Sequence, residues 1–104
     1  GLGGIATSIA NTLLPAPRNA RSITLTLHDH AKAKAVFLAG DFNGWNPTPM
    51  QRSGKVWRLT VKMTPGKHYY KFVTDDQWIT DPANPITESD GRGNFNSVLT
   101  VADK

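Results

Sequence analysis

From Ser22 onward, apolar and polar residues alternate along the chain with a period of two. In S-I-T-L-T-L-H, Ile23, Leu25 and Leu27 fall on one side and the threonines on the other, which predicts a half-buried strand. K-A-V-F-L-A-G predicts a second strand, more continuously apolar and therefore more central. V-W-R-L-T-V-K-M alternates again and turns Trp57, Leu59, Val61 and Met63 inward. T-P-G then turns the chain, and K-H-Y-Y-K-F-V-T is expected to return as a hairpin partner. Within that strand His68, Tyr70 and Phe72 share a face, with Tyr70 and Phe72 as core, so Lys71 points outward between Tyr69 and Val73. Q-W-I-T-D reads as a short strand or strand extension, D-P-A-N-P as a proline-rich turn and D-G-R-G-N as a flexible loop. F-N-S-V-L-T-V closes the pattern, with Phe95, Ser97, Leu99 and Val101 on one side and Asn96, Val98 and Thr100 on the other.

Six or seven short strands with turn signals between them predict an antiparallel β-sandwich over residues 22–104. Residues 1–21 differ. Ile5, Ile9 and Leu13 lie at i, i+4 and i+8, one face of a short helix, and Pro15 and Pro17 end it. This arm reads as a weakly helical or disordered linker. A chain opening on Gly1 instead of Met reads as a piece of a longer protein.

At 104 residues and 11.4 kDa the chain amounts to one domain. Its sequence holds no apolar run near the ~20 residues a membrane-spanning helix needs. The absence of cysteine excludes a disulfide framework, cysteine-based zinc sites and thiol catalysis. It leaves the compartment open, with the cytoplasm favoured. The net charge of +4 permits an anionic partner, but the lysines and arginines are scattered and read as a solvated basic surface.

The candidate chemistry centres on tryptophan. Trp45 sits at the tip of F-N-G-W-N-P, where Asn43 and Gly44 form a turn and Pro47 stops a strand. It reads either as a lid folded onto the core or as an exposed stacking platform. Trp78 follows D-D-Q, a hairpin-tip composition, and reads either as an edge-strand core residue or as a second platform. Trp57, in phase with Leu59 and Val61, belongs to the core. Two exposed indoles beside an outward lysine and an asparagine suit a sugar: the pyranose C–H face packs on a flat ring, and its hydroxyls need donors and acceptors.

V-F-L-A-G-D-F-N-G-W, P-G-K-H-Y-Y-K-F-V-T-D-D-Q-W-I-T-D-P and N-F-N-S-V-L-T-V, in this order and spacing, resemble the family 48 carbohydrate-binding modules. That family includes the glycogen-binding domain of the AMP-activated protein kinase β subunit and N-terminal domains of branching and debranching enzymes. The resemblance runs from about Ser22 to Ala102. It implies an immunoglobulin-like sandwich of the early-set type that binds α-1,4-glucan. It also implies that Trp45 and Trp78 stack on glucose, that Lys71 and Asn96 bind hydroxyls, and that a kinase-type or catalytic partner domain is attached. The D-G-R-G-N loop departs from the kinase version, which places there a leucine that enters the ring of a curved glucan. Arg92 or Asn94 stands in its place.

Other chemistries fit less well. Glycoside hydrolysis needs two carboxylates flanking one bond. Asp75 and Asp76 are adjacent in a turn, and Asp41, Asp81 and Asp90 sit in other loops, so no enzyme is predicted. His28 and His30 in H-D-H lack an evident third ligand; neither a metal site nor a cofactor is expected. The alternatives are a docking domain packed against a glycoside hydrolase or other partner without a sugar site of its own and, with less in its favour, a binder of single-stranded nucleic acid. The basic residues do not interleave with the aromatics in one strand pair, which argues against the last.

Overall fold

The computed structural model describes residues 19–103; the predicted helical face of Ile5, Ile9 and Leu13 lies outside them. Strands β1 (Arg21–His28), β2 (Val36–Gly40), β3 (Thr48–Pro49), β4 (Gln51–Ser53) and β5 (Val56–Met63) are followed by β6 (Gly66–Thr74), β7 (Gln77–Ile79), β8 (Thr87–Ser89) and β9 (Phe95–Val101). A 3-10 turn, Asp41–Asn43, follows β2. The described residues are thus all-β, an immunoglobulin-like early-set sandwich of two antiparallel sheets. The two-residue β3 and the three-residue β4, β7 and β8 bring the strands among the described residues to nine, against the six or seven read from sequence. Arg21, which the sequence pattern leaves in the arm, opens β1.

The smaller sheet runs β1-β5-β4 and the larger β3-β2-β6-β9-β8, with β7 added to β6. Leu27 faces Trp57, Leu25 faces Leu59 and Ile23 faces Val61, so the two alternating strands present one apolar side together. That side meets Val36, Leu38, Tyr70 and Phe72 of the larger sheet. Phe72 and Leu38 are completely buried, and the Tyr70 and Phe72 rings meet edge to face at 5.8 Å. The indole N–H of Trp57 donates to the His30 carbonyl at 2.9 Å, satisfying the polar atom of this core residue.

T-P-G does not close a hairpin. β5 and β6 belong to different sheets, and β6 pairs with β2, β9 and β7 instead. Alternation reports which side of a strand is buried, and a crossover between two sheets buries the same sides as a hairpin would. Two faces also depart from simple parity. Phe95 is 53% exposed because β9 there pairs only with the short β8, past the end of its ladder with β6. Val98, on the outer side, is buried; it is flanked by its partner Tyr69 and bonded through its backbone to Asn84 and Ile86.

Tyr70 carries the sandwich core out to the D-P-A-N-P turn. Its hydroxyl donates to an Asp81 carboxylate oxygen at 2.6 Å and accepts from Asn84 Nδ2 at 3.1 Å. Asn84 Nδ2 also reaches the Val98 carbonyl, and the Asp81 backbone N–H donates to the fully buried Ser97 hydroxyl. Burial, reinforced by the Asp81 hydrogen bond, pushes the Tyr70 phenol far above its ordinary value.

Candidate functional site

Strand β6 changes partner partway along one edge. From Gly66 to Tyr70 it pairs with β9, and from Phe72 to Thr74 with β7, while β2 occupies the opposite edge. Lys71 lies at the junction between the two partners. Its side chain alternates with buried Tyr70 and Phe72 and so stands on the outer face. Trp78 pairs with Val73 and therefore shares that face. Asn96 shares it too, because Val98, two residues along, pairs with Tyr69. These three side chains arise from three strands and meet where the sheet has a notch.

Trp45 joins them from a loop. Asn43 anchors that loop: its Oδ1 accepts from Gly40 N–H at 2.9 Å, and its Nδ2 donates to the Leu38 carbonyl and the Thr48 hydroxyl, each at 3.0 Å. Gly44 (φ 67°) and Trp45 (φ 61°) are both left-handed, and Asn46 N–H closes the turn onto the Asn43 carbonyl. A left-handed backbone costs a bulky residue about 1–2 kcal/mol. The local fold tolerates that strain while leaving Trp45 36% exposed; Trp78 is 48% exposed and Trp57 only 6%. At Gly40, where the loop departs, a Cβ would collide with the Phe42 ring and lie 2.7 Å from the Tyr69 carbonyl oxygen.

Trp45, Lys71, Trp78, Arg92 and Asn96 line one open depression of about 410 Å³, together with Asp90. Asn94, the remaining candidate from sequence, is outside this lining; its backbone closes the D-G-R-G-N loop against Asp90. Asp90 was not singled out by sequence reasoning as a site residue. Its place in the loop before Asn96 was the available signal. One of its carboxylate oxygens accepts from the backbone N–H groups of Arg92 (2.7 Å) and Asn94 (3.1 Å). The Arg92 bond, aided by the Asn94 N–H and the nearby Lys71 charge, outweighs slight desolvation and holds the carboxyl below the usual range. Beside the depression, the Tyr69 hydroxyl donates to Glu88, which also pairs with Lys67 at 2.6 Å.

A second depression of about 400 Å³ is lined by Asp29, His30, Lys32, Lys55 and Asp75 with small residues between them. Among the described residues its lining holds no Trp, Tyr or Phe; the His30 imidazole is its one ring, against two indoles in the first depression. Among the described residues no three His, Cys, Asp or Glu side chains cluster in a way that suits a metal ion.

Behind the Trp45 loop, His68 Nδ1 lies 2.7 Å from one Asp41 oxygen and Nε2 lies 2.7 Å from the Thr64 carbonyl. The other Asp41 oxygen accepts from Tyr69 N–H at 3.0 Å. Both ring nitrogens face acceptors, an arrangement complete only with the imidazolium. Burial opposes that charge, but the Asp41 hydrogen bond, the Thr64 carbonyl and the Asp41 charge together raise the His68 pKa.

An early-set β-sandwich with an open aromatic depression on one sheet defines a class of non-catalytic binding modules. Comparison with known families narrows the class. Residues 23–104 match the family described as the glycogen recognition site of AMP-activated protein kinase, and the chain belongs to that family of carbohydrate-binding modules. It is 38% identical over 68 residues to human 5'-AMP-activated protein kinase subunit beta-1, covering 65% of this chain and 25% of that protein. It is 34% identical over 85 residues to the Arabidopsis thaliana chloroplastic phosphoglucan phosphatase LSF1, covering 79% of this chain and 14% of that one. The pig beta-1 subunit is 37% identical, with 65% of this chain and 55% of that sequence covered. The chain thus spans between one-seventh and about half of these relatives. The fold recurs in the maltogenic amylase from S. marinus (TM-score 0.66, 21% identity, 77% of this chain and 13% of that one). It recurs also in the enterobactin esterase of Shigella flexneri (TM-score 0.67, 20% identity, 86% and 32%).

Proposed function

We propose that this chain binds α-1,4-glucan of the glycogen or starch type, without catalysis, as a module of a larger protein. Glucose rings stack on Trp45 and Trp78. Lys71 donates to sugar hydroxyls, and the Asn96 amide both donates and accepts. The observation that carries this reading is the convergence of those four side chains on one open depression. Both indoles are exposed, so stacking needs no unfolding of the core. Rigid aromatic rings also lose little conformational entropy on binding, which favours a weakly held, strongly hydrated ligand.

Membership of a glycogen-recognition family and the name of the Arabidopsis relative, a phosphoglucan phosphatase, support a glucan as the class of ligand. The attached partner is proposed to be a kinase-type or other catalytic domain whose substrate the module retains nearby.

Calorimetric titration of maltoheptaose into the wild-type chain and Trp78→Ala tests the reading. Loss of one stacking ring is expected to weaken binding by ~1–3 kcal/mol, by analogy with stacking of nucleic-acid bases on aromatics. Equal affinity in both proteins rejects the assigned role of Trp78. A docking domain without a sugar site gives no heat with maltoheptaose in either protein.

A further inference from the structure

The depression carries more positive charge than a neutral sugar requires. Lys71 enters it from the sheet and Arg92 from the D-G-R-G-N loop. Among the described residues, neither side chain forms a salt bridge; the cation next along the same face of β6, Lys67, is paired with Glu88 at 2.6 Å. A neutral hydroxyl is served by one donor, and a second unpaired cation facing the same space adds mutual repulsion until an anion arrives. Among the described residues Asp90 is the one carboxylate in the lining, and one of its oxygens is held by the Arg92 and Asn94 N–H groups. That contact fixes the loop bearing Arg92 without discharging the carboxylate, so the lining carries two cations and one anion, a net positive charge.

We infer that the depression favours α-glucan carrying a phosphate monoester over unmodified glucan, with Arg92 and Lys71 receiving the phosphate while Trp45 and Trp78 hold the sugar rings. This rests on the glucan reading above and names the ligand more narrowly. A phosphate monoester brings a charge of about −1.5 to −2 at neutral pH, which matches two cations better than a single carboxylate group does. The planar guanidinium of Arg92 also presents paired N–H donors that fit two phosphate oxygens at once. The two indoles restrict the choice to an anion borne on a sugar, since free phosphate has no face to stack.

The test compares maltoheptaose with maltoheptaose bearing one glucose 6-phosphate unit, titrated into the 104-residue chain at low and moderate salt. The phosphorylated sugar is expected to bind roughly tenfold more tightly, in line with a charge-assisted hydrogen bond, and the ratio to shrink as salt rises. Arg92→Gln is expected to bring the ratio close to one. Asp90→Asn retains a side-chain oxygen for the loop and removes the opposing charge, so the ratio is expected to increase. Equal affinity for the two sugars in the wild type, or a ratio indifferent to both substitutions, overturns this inference and leaves glucan binding standing. Failure of both sugars to bind overturns the glucan reading and this inference with it.

Discussion

Trp78 and Lys71 stand on the same outer face of the larger sheet, because Trp78 pairs with Val73 and Val73 lies two residues from Lys71 on β6. Trp57 occupies the opposite situation, facing Leu27 across the smaller sheet and bonded to His30. Substitution should separate the two indoles. Trp57→Ala is expected to cost ~3–5 kcal/mol of folding stability. Trp78→Ala is expected to stay within ~0.5 kcal/mol of wild type, as an exposed surface substitution. Urea denaturation followed by circular dichroism measures both. Comparable losses would contradict the division between core and surface tryptophans.

The Trp45 loop depends on Asn43, whose side chain makes three hydrogen bonds to Leu38, Gly40 and Thr48. Asn43→Ala is expected to cost ~1–3 kcal/mol by leaving part-buried groups unpaired and to weaken maltoheptaose binding as the Trp45 turn loosens. Denaturation and calorimetry on the same variant read the two effects. Unchanged stability and affinity would show that the turn holds itself.

Tyr70 ties the core to the D-P-A-N-P segment through Asp81 and Asn84. Tyr70→Phe keeps the ring, leaves the Asp81 oxygen without its donor and removes one of the two hydrogen bonds of Asn84 Nδ2, for an expected loss of ~1–3 kcal/mol. Amide exchange should quicken over residues 81–86 while β5 stays protected. Uniform quickening throughout the sandwich would argue against a local tether.

His68 makes stability depend on pH in a defined direction. Its folded pKa is raised above the ordinary 6.5, so the folded chain holds the proton more tightly than the unfolded chain does. The contribution is complete below pH 6.5 and is lost as pH rises through the raised folded value. Stability measured across that window is expected to fall with rising pH, and His68→Gln is expected to remove this part of the slope. A slope of the opposite sign would contradict the Asp41–His68–Thr64 arrangement.

The faces of individual strands were largely legible in the sequence. The alternations through Ile23, Leu25 and Leu27 and through Trp57, Leu59, Val61 and Met63 correspond to the paired apolar sides of β1 and β5, and the buried Tyr70 and Phe72 leave Lys71 outward. Pairing between strands was less legible. T-P-G looks like a hairpin turn because local residues shape the turn, whereas the choice of sheet for β6 depends on distant β2 and β9. The burial of Val98 and the exposure of Phe95 likewise depend on where neighbouring segments end, which a period of two does not encode. At the site, Asn96 and Lys71 follow from parity. Asp90 enters the depression through loop closure by its own side chain, a contact that loop composition suggests but does not place.

The most direct test follows the three indole N–H resonances by NMR while maltoheptaose is added. The signals of Trp45 and Trp78 are expected to shift and saturate together, while the Trp57 signal, buried and bonded to His30, stays in place. Unmoved Trp45 and Trp78 signals at saturating sugar, or a shift confined to Trp57, would contradict glucan binding on this face.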